Sequence, residues 1–384
     1  MPTLLTGATG YLGGYALKEL LARSDAPVFA LVRARSITEA TDRLWRTLAL
    51  HVDAAAFRHA LARIEIVLGD ITEPGLGLGR ADRERLDAEV HRVLHVAASL
   101  NRKSARDCMR VNVHGTANVL DFARARAEAG ALERFTHVST TAVAGNRPHT
   151  VVPEAQMVDW SVRDFDPYGQ TKKMGEVLVE RVLAGASTAI VRPSIVLGDA
   201  RMARTTQFDM IRAFGLLAKL PVIPADPASR LDIVNADFVG AAMAAVHLAP
   251  TLSHGSYNLS AGAASETLGA ITRALATAAH RPMPVFVPVA ASHVGRAAAW
   301  VGNLRTAHPV RRLGALVHVF WPYVTEDTVY DSTRIRSEFG LEPEPFTARA
   351  GALYAFAERH GYAFPHTELG RTKAPEHGGT EVLA

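Results

Sequence analysis

Tyr168 and Lys172 stand four residues apart in the run Asp166-Pro167-Tyr168-Gly169-Gln170-Thr171-Lys172. Pro167 suits the first turn of a helix, and the residues beyond it predict a helix to about Leu183. Residues four apart share one helical face, so the phenol and the ammonium lie one turn from each other. A tyrosine titrates at about 10 and needs help to exchange a proton near neutrality; a neighbouring cation favours its phenolate. Such a pair can pass a proton to an oxygen on which charge develops. By itself a Tyr-x-x-x-Lys is most often a surface pair on a helix. Here it follows the hydroxyls Thr140 and Thr141, at the carboxyl end of a predicted strand over 135–139, and a glycine-rich turn.

That turn is Thr6-Gly7-Ala8-Thr9-Gly10-Tyr11-Leu12-Gly13. The apolar run 3–5 before it reads as the end of a buried strand, and 15–21 after it as a helix. A strand turning sharply into a helix leaves unpaired N–H groups at the turn, where a phosphate can sit. Glycines let the backbone make the turn and let a pyrophosphate come close. Arg33 stands twenty residues after Gly13, at the end of the predicted second strand 28–32. An acidic residue there would accept from the ribose 2′-OH of NAD. Arginine instead offers a planar fork of donors suited to a phosphate, so the predicted cofactor is NADPH. Arg43, on the next predicted helix, is placed to clamp the same phosphate or to be a solvated surface charge.

The remaining elements alternate as a doubly wound sheet requires. A third strand over 64–68 ends in Gly69-Asp70, where the carboxylate can reach an adenine amino group or cap a turn. A fourth over 90–96 ends in Ala97-Ala98, small enough for a pyrophosphate and ribose to pass. His95 on that strand reads as a locally bonded packing residue. Asn112 falls within a helical stretch to about 128, as an anchor for backbone or water or as a surface position. A sixth strand over 188–192 closes with Pro193-Ser194, and Val196 follows at the same rim. Ligands of such sheets bind outside the carboxyl ends of the strands.

The predicted class is α/β, a Rossmann-type doubly wound parallel sheet with a smaller, mostly helical C-terminal substrate-binding portion. The chain has 384 residues, 48% apolar and 21% charged, which accommodates both parts. The cofactor domain is expected over 1–200, with 230–262 returning to it. The substrate portion is expected over 201–229 and 263–365, with a disordered tail over 366–384. The single cysteine, Cys108, excludes an intrachain disulfide and reads as a small buried residue. No run of about 18 apolar residues predicts a membrane span, and no leader precedes the first strand, so a cytoplasmic location is expected.

The net charge of +4 is unevenly spread. Between Glu266 and Glu326 there is no acidic residue, while Arg273, Arg281, Arg296, Arg305, Arg311 and Arg312 occur there. This is either a solvated face or a positive surface for a phosphorylated or acidic partner. The arginines are sparse and no nucleic-acid motif accompanies them, so no nucleic-acid partner is expected. No metal site is expected.

Together the glycine turn, Gly69-Asp70, His95-Val96-Ala97-Ala98, Asn112, Val138-Ser139-Thr140, Tyr168 to Lys172 and Arg192-Pro193 resemble an extended short-chain dehydrogenase/reductase over roughly the first two hundred residues. Within that superfamily the chain looks most like thioester reductases and fatty acyl-CoA reductases, with male-sterility-type NAD-binding domains. The likeness rests on Arg33 with Arg43-Leu44, on Gly69-Asp70-Ile71-Thr72-Glu73-Pro74, and on the segment 231–239. There Asn235-Ala236 replace the usual Pro-Val. A weaker likeness covers 323–339.

The resemblance implies that Thr6, Gly7, Thr9, Gly10, Tyr11, Leu12, Gly13, Arg33, Arg43, Asp70, Ile71, Ala97, Ala98, Asn112, Lys172, Pro193, Ser194 and Val196 serve the cofactor. It also implies that Thr140 and Tyr168 hold and protonate a carbonyl oxygen while Lys172 holds the nicotinamide ribose. An acyl thioester, on CoA or on a separate carrier protein, would then go to aldehyde and on to alcohol. Other readings are an extended reductase of a ketone or hydroxyl, a nucleotide-sugar epimerase, or a non-catalytic NADP-binding protein. The apolar stretches 216–224 and 285–289 argue for a lipophilic substrate, and retention of both Tyr168 and Lys172 argues for an enzyme. The oligomeric state is left open.

Overall fold

The computed structural model describes residues 1–288, 321 and 324–369. Seven parallel strands form the central sheet: β1 (Thr3–Thr6), β2 (Val28–Val32), β3 (Ile64–Leu68), β4 (Arg92–His95), β5 (Arg134–Val138), β6 (Thr188–Pro193) and β7 (Ser256–Leu259). Their order is β7-β6-β5-β4-β1-β2-β3, and the two halves of the winding meet between β1 and β4. Strands β1, β2 and β5 are buried along their whole length, as parallel strands covered on both faces must be.

Helices α1 (Tyr11–Arg23) and α2 (Ile37–Leu48) cover one face of the sheet with Leu17, Leu20, Leu44 and Trp45. The other face is packed by Val119, Leu120 and Phe122 of α3 (Thr116–Glu128) and Val179 of α4 (Pro167–Val182). Helix α5 (Ala236–Leu248) returns to lie along α1. A second apolar core joins the helices Asp209–Ala218, Leu268–Ala278 and Thr347–Arg359 through Ile211, Phe214, Ile271, Leu275, Leu353 and Tyr354.

The stretch 366–369 lies against the first core: the Trp45 indole donates to the Thr367 carbonyl at 2.7 Å and Leu369 packs beside it. The rest of the stretch read as a tail, 370–384, is outside the described residues. So are Arg296, Arg305, Arg311 and Arg312. Among the described residues no helix is long and apolar enough to cross a membrane.

One buried ion pair joins α4 to the sheet. Arg192 of β6 donates to both carboxylate oxygens of Glu176, at 2.9 and 2.7 Å, and Glu176 is fully buried. Burying two charges is repaid only while both are present. Glu176→Ala is therefore expected to lower stability by about 3–5 kcal/mol in urea unfolding, because it strands the Arg192 charge. A loss within 1 kcal/mol would show that water reaches this pair.

Candidate functional site

A cleft of about 1100 Å³ runs along the carboxyl ends of the strands. The turn from β1 into α1 forms its floor. Gly7 is left-handed at φ +77°, and a Cβ on it would meet the Ala97 nitrogen at 2.7 Å. A Cβ on Gly13 would lie 1.9 Å from the Gly7 carbonyl oxygen, so only glycine fits there. Gly10 caps α1 without a side-chain bond, and the first turn of α1 carries no acidic residue. A helix N-terminus left so bare suits an anion.

Of the residues predicted for the cofactor, Gly7, Thr9, Gly10, Tyr11, Leu12 and Gly13 line this floor, and Ala97 and Ala98 face them. Pro193, Ser194 and Val196 line the far rim. Arg33, Arg43, Asp70 and Ile71 line the end beyond β2 and β3. There Arg43 donates to the Arg33 carbonyl, and the Arg33 guanidinium lies 3.5 Å from Asp70. Arg33 is exposed and Arg43 half-buried, both at the cleft edge. Asp70 also accepts from the Thr72 N–H and hydroxyl at 2.9 Å. It thus acts as a turn cap whatever it offers a ligand.

Thr6 and Asn112 lie beneath the cleft and shape its wall. The Thr6 hydroxyl bonds His95 Nδ1 at 2.7 Å, and His95 Nε2 meets Thr116 at 3.0 Å. Asn112 accepts from the Ser99 N–H at 2.7 Å and donates to the Ser99 carbonyl and the Thr171 hydroxyl. It sits in a π-helical segment, Met109–Gly115, that precedes α3. This wider turn is not readable from residue spacing.

Thr140, Tyr168 and Lys172 come together at the centre of the cleft. Asp166 caps α4 by accepting from the Gly169 N–H at 2.9 Å, which fixes where the phenol emerges. The Lys172 ammonium is buried, donates to the Val138 carbonyl at 2.6 Å and lies 3.3 Å from His137 Nε2. Burial pulls its pKa down to about 8, against the opposing charge of Glu176. Burial raises the Tyr168 phenol above its ordinary value, against the Arg102 charge and a hydrogen bond with Thr140.

A second cation stands at this phenol besides the one expected from the sequence. Sequence reasoning gave Lys172 the part of the cation that favours the Tyr168 phenolate. The foremost charge acting on Tyr168 in that sense belongs to Arg102, whose guanidinium lies 4.8 Å from the ring centroid. Lys172 is instead turned toward the end of β5.

Arg102 was missed, as were the lining residues Arg110, Asp232 and Glu326. The only available signal was position, since Arg102 follows the carboxyl end of β4. Burial raises Asp232 to about 6 and Glu326 to about 7. The apolar stretches 216–224 and 285–289 do not line the cleft among the described residues; Leu216, Leu220, Val222 and Val285 are exposed. Gln207, Asp209, Arg230 and Thr328 face the cleft instead. The lining is mixed, since these polar groups stand beside Leu100, Phe165, Ile195, Met210 and Tyr330. No group of His, Cys, Asp and Glu among the described residues is placed to hold a metal ion.

Residues 5–243 match the NAD-binding family described as male sterility protein. The isonitrile lipopeptide synthase of Mycobacterium tuberculosis is 34% identical over 219 residues, 52% of this chain but 8% of that protein. Fatty acyl-CoA reductase 1 of Gallus gallus is 29% identical over 225 residues, 50% of this chain and 42% of that protein. The chain therefore spans less than half the length of either relative. The reductase (R) domain of a nonribosomal peptide synthetase from Mycobacterium tuberculosis superposes with a TM-score of 0.72 at 25% identity, covering 94% of this chain and 92% of that one.

The burial of Lys172 has a measurable cost. Its pKa falls from 10.5 to about 8 on folding, so the unfolded chain binds the proton more tightly. Wild-type stability then rises with pH between those values and carries the full penalty below them. Lys172→Met, freed of that penalty but lacking the bond to Val138, is expected to be about 1–3 kcal/mol more stable near pH 7. The gap should narrow toward pH 10 in urea unfolding. A variant less stable at pH 7, by an amount independent of pH, would contradict this account.

Proposed function

The chain belongs to the male sterility protein family of NAD-binding domains, and from that premise we propose that it is an NADPH-dependent reductase of acyl thioesters. The observation that carries this reading is a single cleft holding the bare α1 N-terminus, the Arg33–Arg43 pair and the Thr140–Tyr168–Lys172 group. The glycine floor fits a pyrophosphate, and the two guanidiniums fit the phosphate that distinguishes NADPH from NADH. When bound, the nicotinamide supplies a hydride.

The chain's own groups handle the oxygen. Thr140 and Tyr168 present two hydroxyls toward the place where a thioester carbonyl would receive hydride, and Tyr168 gives its proton to that oxygen. The resulting hemithioacetal breaks its C–S bond to leave an aldehyde and a free thiol. A second hydride and proton would yield the alcohol. Lys172, with its charge weakened by burial, is free to leave the Val138 carbonyl for a ribose hydroxyl. The acyl group arrives on a phosphopantetheine arm, from CoA or from a carrier protein. Incubation with NADPH and matched acyl-CoA and acyl-carrier thioesters, with products identified by mass, tests the reading. Absence of aldehyde, alcohol and NADPH oxidation with every thioester would defeat it.

Two substitutions probe the assignments. Tyr168→Phe keeps the ring and removes the acidic proton, so kcat should fall by roughly 10²–10⁴ while NADPH affinity stays within about twofold. Near-normal turnover would remove Tyr168 from the proton step. Arg33→Asp should weaken NADPH binding by about tenfold or more and leave NADH binding unchanged or better, since only NADPH carries the extra phosphate. Equal losses with both cofactors, read by fluorescence titration, would count against a phosphate grip.

A further inference from the structure

Arg102 follows β4, far in sequence from α4, yet it is bound to the start of that helix. Its Nη1 donates to Asp166 Oδ2 at 2.6 Å, and the two side chains are 21% and 13% exposed. Asp166 is the residue whose other oxygen caps α4 one position before Pro167. From this anchor the guanidinium lies 4.8 Å from the centroid of the Tyr168 ring. A cation over an aromatic face is held there by the ring quadrupole, and more strongly once the ring carries negative charge. Arg102 also lines the cleft beside Tyr168.

We propose that Arg102 is a positioning residue for proton transfer, which fixes the Tyr168 ring and stabilises the phenolate left when the proton has gone. The inference rests on the reading of Tyr168 as proton donor. Arginine suits this task because it stays charged at every working pH, whereas a buried lysine does not. Around the phenol stand Arg102 from the segment after β4, Asp166 at the cap, and Cys108 from the helix Ala105–Cys108. Thr140 from the end of β5 hydrogen-bonds it, and Lys172 lies one turn along its own helix. Arg102 and Thr140 act to lower the phenol pKa; Asp166 and Cys108 act to raise it. Each proton given to substrate leaves one negative charge on Tyr168, which Arg102 neutralises until a proton returns from solvent.

Asp166 makes the test sharp, because Arg102→Gln and Asp166→Asn break the same ion pair yet remove charges of opposite sign. Asparagine also keeps the helix cap. The protein is labelled with 3-fluorotyrosine, which acidifies the phenol and brings its titration into an accessible range. The Tyr168 fluorine signal is identified by its absence in Tyr168→Phe.

The midpoint is expected to rise by about half a unit to one unit in Arg102→Gln and to fall in Asp166→Asn, with Arg102→Lys closest to wild type. In parallel, kcat for thioester reduction should drop about three- to tenfold in Arg102→Gln with KM for the acyl donor nearly unchanged. Midpoints that move the same way in both variants, or do not move, would overturn the proposal and leave the ion pair a structural tie. A loss confined to KM would overturn it in favour of a substrate contact. If Tyr168→Phe keeps its turnover, the proton-donor reading itself fails; if only the midpoints fail to diverge, that reading stands and Arg102 is released from it.

Discussion

The position of helix α1 is the constraint on which the rest depends, and it is set by the absence of side chains. At its start Gly13 packs on the Gly7 carbonyl and Gly7 on the backbone of Ala97, with no room for a Cβ at either place. Along its length a Cβ on Gly14 would meet Thr47 of α2 at 2.4 Å, and one on Gly240 of α5 would meet Tyr15 at 2.8 Å. Glycine backbone thus touches backbone, the Thr47 methyl or the Tyr15 Cβ on three sides. The consequence is directional: the N-terminus of α1 points into the crevice between β1 and β4, where the winding reverses. A methyl group at Gly13 would displace the turn, the helix and the wall formed by Ala97 together.

The opposite wall is fixed by buried polar groups. Asn112 ties the Ser99 backbone to Thr171 of α4. Lys172 reaches back to the end of β5, and Glu176 grips Arg192 on β6. The chain of contacts continues outward: Arg192 donates to the Glu154 carbonyl, and the Glu154 carboxylate accepts from the N–H groups of Asn258 and Arg334. Each member satisfies the next, as buried polar groups must if they are to be tolerated. Three residues of α4 on one face, Tyr168, Lys172 and Glu176, therefore face the cleft, the sheet end and the sheet interior in turn. Helix and site are positioned by the same bonds.

This division explains what could be read in the sequence. The glycine turn, the strands and the Tyr168–Lys172 spacing are local patterns, and each depends on residues within one strand-helix unit. Arg33 and Arg43 were legible for the same reason, being ten residues apart across a single turn. Asn112 was legible only as an anchor, because its partners Ser99 and Thr171 are set by tertiary packing. Arg102 carried no signal beyond its position after β4. Nothing in Leu100-Asn101-Arg102-Lys103 distinguishes a solvated loop from a guanidinium laid over a ring 66 residues later. The apolar stretches 216–224 and 285–289 show that hydrophobicity gives no address: Val222–Ile223 pair with Val285–Phe286, and no described residue of either stretch lines the cleft.

Arg102 lies over the phenol and Lys172 is turned to the end of β5, and their surroundings explain why they differ. The site at the sheet end is dry, so a cation there pays a desolvation cost and holds its proton weakly. Lysine can meet that cost by approaching neutrality, while its ammonium is held by the Val138 carbonyl. The site at the helix cap is partly wet and already holds a carboxylate, Asp166. A planar guanidinium can satisfy that carboxylate and still lie against an aromatic face. Exchanging the two residues would place a permanent charge where none is paired and a titrating one where a constant charge is needed. The arrangement keeps a fixed charge on the ring and leaves the adjustable one at the end of β5.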